Sequence, residues 1–199
     1  TLEKYDLTKS VLLKILGNFA RESGLQLDEF LTEGARDRLV LASGGVARDF
    51  LTIFRRALDI ARERITRREM ARGERIGAED VNRAAGENDK FKREDFSRDA
   101  GPEEQWRLLS TFEQASDFCL SKAKANCFLV DKELSSPDVV NIAELVDLKF
   151  LHHVKSRVTV RDRQHRLYDA YMLDLSQYAG ERARQNFEIV EFWGPDADD

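Results

Sequence analysis

Residues 43–57 read SGGVARDFLTIFRRA. A serine and two glycines stop one helix, and a new apolar periodicity starts at once. Val46, Phe50, Ile53, Phe54, Ala57, Leu58, Ala61 and Ile65 fall on one face of a helix running to about Arg68. Arg48, Arg55, Asp59, Arg62 and Glu63 fall on the opposite face. Arg48 therefore sits in the first turn. A helix N-terminus carries partial positive charge, so a cation there costs roughly 0.3–1 kcal/mol unless an anion answers it. Two readings stay open: Arg48 is a solvated surface residue whose neighbour Asp49 satisfies the dipole, or it is placed to meet an anionic ligand.

Working outward, Leu7, Val11, Leu12, Ile15, Leu16 and Phe19 recur at helical spacing between a capping Asp6 and a terminating Ser23-Gly24. Leu27 to Ala42 is a second helical stretch, with Leu31, Ala35 and Leu39 as its stripe and Gly34 as its weak point. After the third helix, Gly77-Ala78 caps a short helix that uses Val81 and Ala84-Ala85. These segments predict a small all-α bundle over 1–86. Residues 87–101, ENDKFKREDFSRDAG, are highly charged and lead into Gly101-Pro102, which predicts a linker.

Beyond it the pattern changes. Trp106, Leu109, Phe112, Ala115 and Cys119 predict a helix over 103–124, and CFLVD (127–131) a short strand. Pro137 at the first position, after Ser136, opens another helix. Residues 152–160 and 166–175 predict two strands joined by the polar turn RDRQ. Alternation over Leu167, Asp169, Tyr171, Leu173 and Leu175 directs most of that set inward. SQYAGERARQ predicts a short helix and NFEIVEFW a last strand. Helix–strand–helix–hairpin is an order that resembles a winged-helix domain over 102–199. The fold class is thus mainly α with a small β component.

The net charge of −5 argues against general nucleic-acid affinity. The basic residues of the second half concentrate in 149–184, chiefly Lys155, Arg157, Arg161, Arg163 and Arg166 around the predicted turn. Such a hairpin can lie along a phosphate backbone or pack on a protein partner; charge also protects an edge hairpin against aggregation. The helix before it carries Glu144 and Asp147 and is poor in Lys and Arg, so it is a weak major-groove reader. One helix between the first strand and the hairpin is also one fewer than a full winged helix needs.

Other candidates are weaker. Glu29, Glu33 and Asp37 share a helical surface without a partner histidine. His152 and His153 are adjacent, so a strand sends them to opposite faces, and His165 lies at the turn. Ser43 and Ser135-Ser136 read as caps and turns. Cys119 and Cys127 form neither a disulfide framework nor a zinc pattern and read as reduced thiols of a cytoplasmic protein. No stretch approaches the ~18 consecutive apolar residues of a membrane helix. The start, TLEKYDLTKS, lacks a secretory pattern and a Met, so the chain reads as an excised piece of a longer protein.

The run Gly44-Gly45-Val46-Ala47-Arg48-Asp49, followed by Leu51, Phe54, Ala57, Leu58, Ile60 and Ala61, resembles the lid subdomain of AAA+ ATPases. It looks most like the lid of the origin-recognition and cell-division-control initiator group. Ile76-Gly77-Ala78-Glu79-Asp80-Val81-Asn82-Arg83-Ala84 is similar to the segment that closes that lid, and a winged-helix domain follows in that family. The resemblance covers 7–86 well and 103–193 in outline. It implies that Arg48 is the sensor-2 arginine, which reaches the γ-phosphate of ATP, held with Mg on an upstream ATPase domain. The chain itself has no G-x-x-x-x-G-K-[ST] loop and no strand ending in paired acids, so it is not expected to bind ATP or to be an enzyme alone. The implied partners are the upstream ATPase domain and, through the second domain, DNA or another subunit. The rival readings are a stand-alone winged-helix nucleic-acid-binding regulator and a structural adaptor without nucleotide.

Overall fold

The structure, a computed structural model, describes residues 2–69, 73–161, 166–179 and 188–190. It is mainly helical with one small three-stranded antiparallel sheet. The chain divides into two compact units, one comprising Glu3–Asn88 and one beginning at Asp89.

The first unit contains α1 (Tyr5–Glu22), α2 (Leu27–Phe30), α3 (Glu33–Ala42), α4 (Ala47–Thr66) and the start of α5 (Ala78–Asp99). Helix α1 buries Tyr5, Leu12, Leu16 and Ala20 but leaves Leu7, Val11 and Phe19 exposed. Its apolar stripe is wider than the face it packs. The stretch over 27–42 breaks at Leu31-Thr32 and not at Gly34, which lies inside α3. Tertiary pairing decides this. Leu31 is extended and buried, and bridges in parallel to Ile76. The Ile76 N–H donates to Phe30 O at 2.8 Å and the Thr32 N–H to Ile76 O at 3.1 Å. Thr32 Oγ1 then accepts the Ala35 N–H and caps α3.

Gly44 and Gly45 both take positive φ, 57° and 78°. Two successive left-handed residues turn the chain sharply, and only glycine adopts them without strain. Buried Ser43 ties the turn by donating to Val40 O at 2.9 Å and accepting the Gly45 N–H at 3.3 Å. Helix α4 then buries Phe50, Ile53, Ala57, Ile60 and Ala61.

Arg64 continues that same face and is only 3% exposed. Its Nη2 lies 3.2 Å from Asp80 Oδ2 and its Nε 3.3 Å from Oδ1. The guanidinium also donates to the carbonyls of Gly73 and Arg75. Asp80 in turn accepts the Gly77 N–H at 2.9 Å, as a third-position acid reaching back to a helix start does. One buried pair thereby joins the end of α4, the 73–77 loop and the start of α5.

Helix α5 continues through Asp99, so residues 87–99 are not the predicted linker. Charge was the wrong cue there: Lys, Arg and Glu are good helix formers. Asp89–Arg93 and Lys90–Glu94 pair at i,i+4, and Asp95–Arg98 at i,i+3.

The second unit continues with α6 (Pro102–Asp117), a π turn (Phe118–Ala123), β1 (Cys127–Asp131), α7 (Pro137–Asp147), β2 (Leu151–Val158), β3 (Tyr168–Leu173) and α8 (Leu175–Tyr178). The helix predicted over 103–124 thus changes winding at Phe118 and ends on a left-handed Lys124. Strand order is β1-β3-β2 with β3 in the middle. Arg107 clamps α6 to α7 by donating twice to Glu144. Phe150 packs against Phe96 and Phe112 at ring separations of 5.9 and 5.5 Å. In β3 the buried residues are Tyr168, Ala170, Met172 and Leu173, so of the expected inward set Leu173 and, just beyond the strand, Leu175 are buried, whereas Asp169 and Tyr171 are half-buried and Leu167 is exposed. Both alternating sets contain apolar residues, so periodicity alone could not choose between them. Of the predicted strand over 186–193 only 188–190 are described, where Glu188 bridges in parallel to Ala125, and most of the helix over 176–185 lies outside the described residues.

Arg64→Ala strands the Asp80 carboxylate in the core and should lower stability by about 3–5 kcal/mol. Urea unfolding followed by circular dichroism measures this. Arg62→Ala, on the exposed side of the same helix, should shift it by less than about 0.5 kcal/mol. Equal effects of the two substitutions would refute the role given to Arg64.

Candidate functional site

The α4 N-terminus is built by the Gly44-Gly45 turn. Val46 is the extended residue that precedes the helix, and no side chain caps the first backbone N–H groups. Arg48 occupies the second helical position. Its side chain is 85% exposed, and its Nε lies 3.2 Å from Asp49 Oδ1. Asp49 is buried and sits where a carboxylate favours the dipole. Asp49 thus answers both the helix end and the guanidinium, through a part-buried contact in which the arginine itself stays exposed. Arg48 remains a cation at a helix mouth, facing water.

Farther along the polar face of α4 lies a depression lined by Arg56, Asp59, Arg62, Glu63, Arg67 and Glu87. Its cations and carboxylates balance, with Arg56 and Glu87 paired at 3.7 Å, so it favours neither sign of ligand. Of the acidic surface candidates, Asp37 is engaged by Tyr5 and Lys9 and is not free for chemistry.

The basic hairpin residues separate into different situations. Arg157 and Arg161 are exposed and make no ion pair among the described residues. Lys155 is half-buried and has a partner. Arg166 is bound to Asp131 at 2.8 Å. Arg163 and His165 lie outside the described residues. Arg157 has φ 56°, and β2 shifts register against β3 on both sides of Lys155. A bulge of this kind re-aims side chains at a strand end.

Sequence reasoning passed over a second charged centre. Asp174 follows β3 and is 2% exposed. Its Oδ2 lies 3.2 Å from Lys92 Nζ and 3.1 Å from His152 Nε2. Its Oδ1 accepts the N–H and hydroxyl of Ser176 at 3.0 and 2.6 Å. Burial pushes this carboxyl up, but Lys92, His152 and Ser176 outweigh it and hold it well below the usual carboxylate range. Ser and His both bind the acid here, so neither activates the other; the geometry anchors and is not that of a nucleophilic triad. Beside it, Arg93 bonds Asp89 and Gln177 and lies over Phe112 and Phe150 at 5.1 and 5.5 Å. The available signal was a lysine and arginine within an otherwise amphipathic helix.

Burial pushes both cysteine thiols up to about 12, which makes them poor nucleophiles. Among the described residues no group of three or more His, Cys, Asp or Glu side chains could hold a metal ion, and no helix is long and apolar enough to cross a membrane. No family model, curated protein or solved structure matches the chain.

Asp174 has its carboxyl depressed in the folded state, so it contributes stability above the unfolded value of about 3.9 and loses that contribution as pH falls toward the folded value. Between about pH 4 and 2, Asp174→Asn should flatten the fall in unfolding free energy relative to the unchanged chain. Parallel slopes in urea titrations across that range would count against the assignment.

Proposed function

We propose that this chain is the carboxyl-terminal part of a cytoplasmic AAA+ ATPase similar to the initiator group, with a lid over 1–86 and a winged-helix-like module after it. In this reading the lid completes a nucleotide site whose phosphate loop and Mg lie on an upstream domain. The observation that carries the proposal is Arg48: an 85% exposed guanidinium at a helix N-terminus that no side chain caps. A phosphate is the anion that both the backbone N–H groups and a guanidinium can bind together. Asp49 keeps the arginine in place without burying it, so little must be broken when a phosphate arrives.

The second unit is the partner module. Its helix–strand–helix–hairpin order supports a winged-helix-like description, with one helix fewer between β1 and β2. Helix α7 offers Asp138, Glu144 and Asp147 but no Lys or Arg, and Glu144 is already held by Arg107. Major-groove reading by α7 is therefore disfavoured, and protein contact or backbone contact through Arg157 and Arg161 is favoured.

The coding sequence upstream of Thr1 should contain a G-x-x-x-x-G-K-[ST] loop. In the full-length protein Arg48→Ala should leave the thermal transition in place and cut ATP turnover by about 10²–10³-fold. Undiminished turnover, or an upstream sequence without a phosphate loop, removes the nucleotide role and leaves the regulator and adaptor readings.

A further inference from the structure

Tyr168, Ala170 and Met172 are buried on one face of the sheet, and on the other the paired Leu151 and Leu173 are buried at one end. Next to that pair the second face carries aromatic rings in a row. Tyr171 of β3 pairs directly with Phe128 of β1 and with His153 of β2, and directly paired residues share a face. The Phe128 and Tyr171 rings are stacked, 5.8 Å apart and 26° from parallel. The His153 ring meets Tyr171 edge-on at 5.3 Å. All three are half-buried, whereas His152 one residue away is turned into the core against Asp174. One ring thus comes from each strand, and the row crosses the whole sheet.

Cations lie beside the row, toward the Tyr168 end of the strands. Asp169, two residues from Tyr171 on the same face, pairs with Lys132 at 3.2 Å and accepts the Arg157 N–H at 3.4 Å. Arg157 is lifted out of the ladder by the bulge and is exposed, as is Arg161 beyond it. Aromatic rows on a sheet with flanking arginines suit unpaired bases, which stack on the rings while the cations meet the phosphates. A duplex hides its base faces from the rings and leaves the flanking cations its phosphates, and a chain of net charge −5 is a poor ligand for those alone.

We propose that this outer sheet face binds single-stranded nucleic acid, stacking two or three bases on Phe128, Tyr171 and His153. The proposal does not rest on the nucleotide reading of Arg48. Stacking, not charge, supplies its affinity, and among the described residues Arg157 and Arg161 are the arginines without an ion pair beside the row, so the salt dependence is shallow. For two phosphate contacts the slope of log K against log salt is about −1.4.

The test is fluorescence anisotropy of a labelled oligothymidylate of roughly 16 nucleotides, its RNA counterpart and the corresponding duplex, against the 199-residue chain. Both single strands should bind with the shallow slope, and the duplex about tenfold or more weaker. Tyr171→Leu should lower single-strand affinity about tenfold. Phe128→Leu, on an edge strand, serves as an independent ring variant, with circular dichroism melts reporting the fold of each. No anisotropy change, equal binding of duplex and single strand, or ring variants that bind like the unchanged chain would each overturn the proposal and leave the Arg48 reading untouched. Preference between the DNA and RNA strands then identifies the physiological polymer.

Discussion

The buried pair between Arg64 and Asp80 is the constraint on which the first unit depends. Two charges in a core carry a large desolvation penalty, and a single ion contact rarely repays it. Here the pair is surrounded by backbone groups that need partners. The guanidinium serves the Gly73 and Arg75 carbonyls, and the carboxylate serves the Gly77 amide. Apolar substitutes of the same volume would leave those groups unsatisfied in the interior. The pair therefore fixes where α4 stops and where α5 starts. That geometry also sets Ile76, whose backbone locks Leu31 and so determines where α3 begins.

A related device organises the second unit. Lys92 and Arg93 come from the charged run that composition reads as solvent-facing. Lys92 meets Asp174, and Arg93 spans Asp89, Gln177 and two phenylalanine rings. These contacts hold the end of β3 and, through His152, the start of β2. Because His152 is anchored inward, strand alternation sends His153 outward beside Tyr171. A buried acid thus positions an aromatic ring on the opposite face of the sheet.

The third helix, the glycine turn before it and the mainly α class were legible because each has a strong local signature. Val46 to Ile65 keep one period for five turns, and Gly44-Gly45 has few alternatives to a left-handed turn. The exposure of Arg48 in the first turn also followed from its place opposite that stripe. What escaped detection was decided at a distance. Leu31 leaves the helix because Ile76, far along the chain, offers it a strand-like partner. Residues 87–99 form a helix because their charges pair at helical spacing, which composition does not reveal. Arg64 could have been noticed: a cation at the 53, 57, 60, 61, 64 positions of an apolar face asks for a buried acid. The aromatic row could not, since Phe128, His153 and Tyr171 meet only through strand register.

The two anchors of the 73–77 loop differ in the length of chain they enclose. Arg64 and Asp80 are 16 residues apart, so bringing them together costs little closure entropy once α4 exists. Leu31 and Ile76 enclose a much longer stretch. Assembly from α4 into α5 should thus be an early local event in folding, and seating of the α2–α3 junction a later one that waits for Ile76 to be delivered in place.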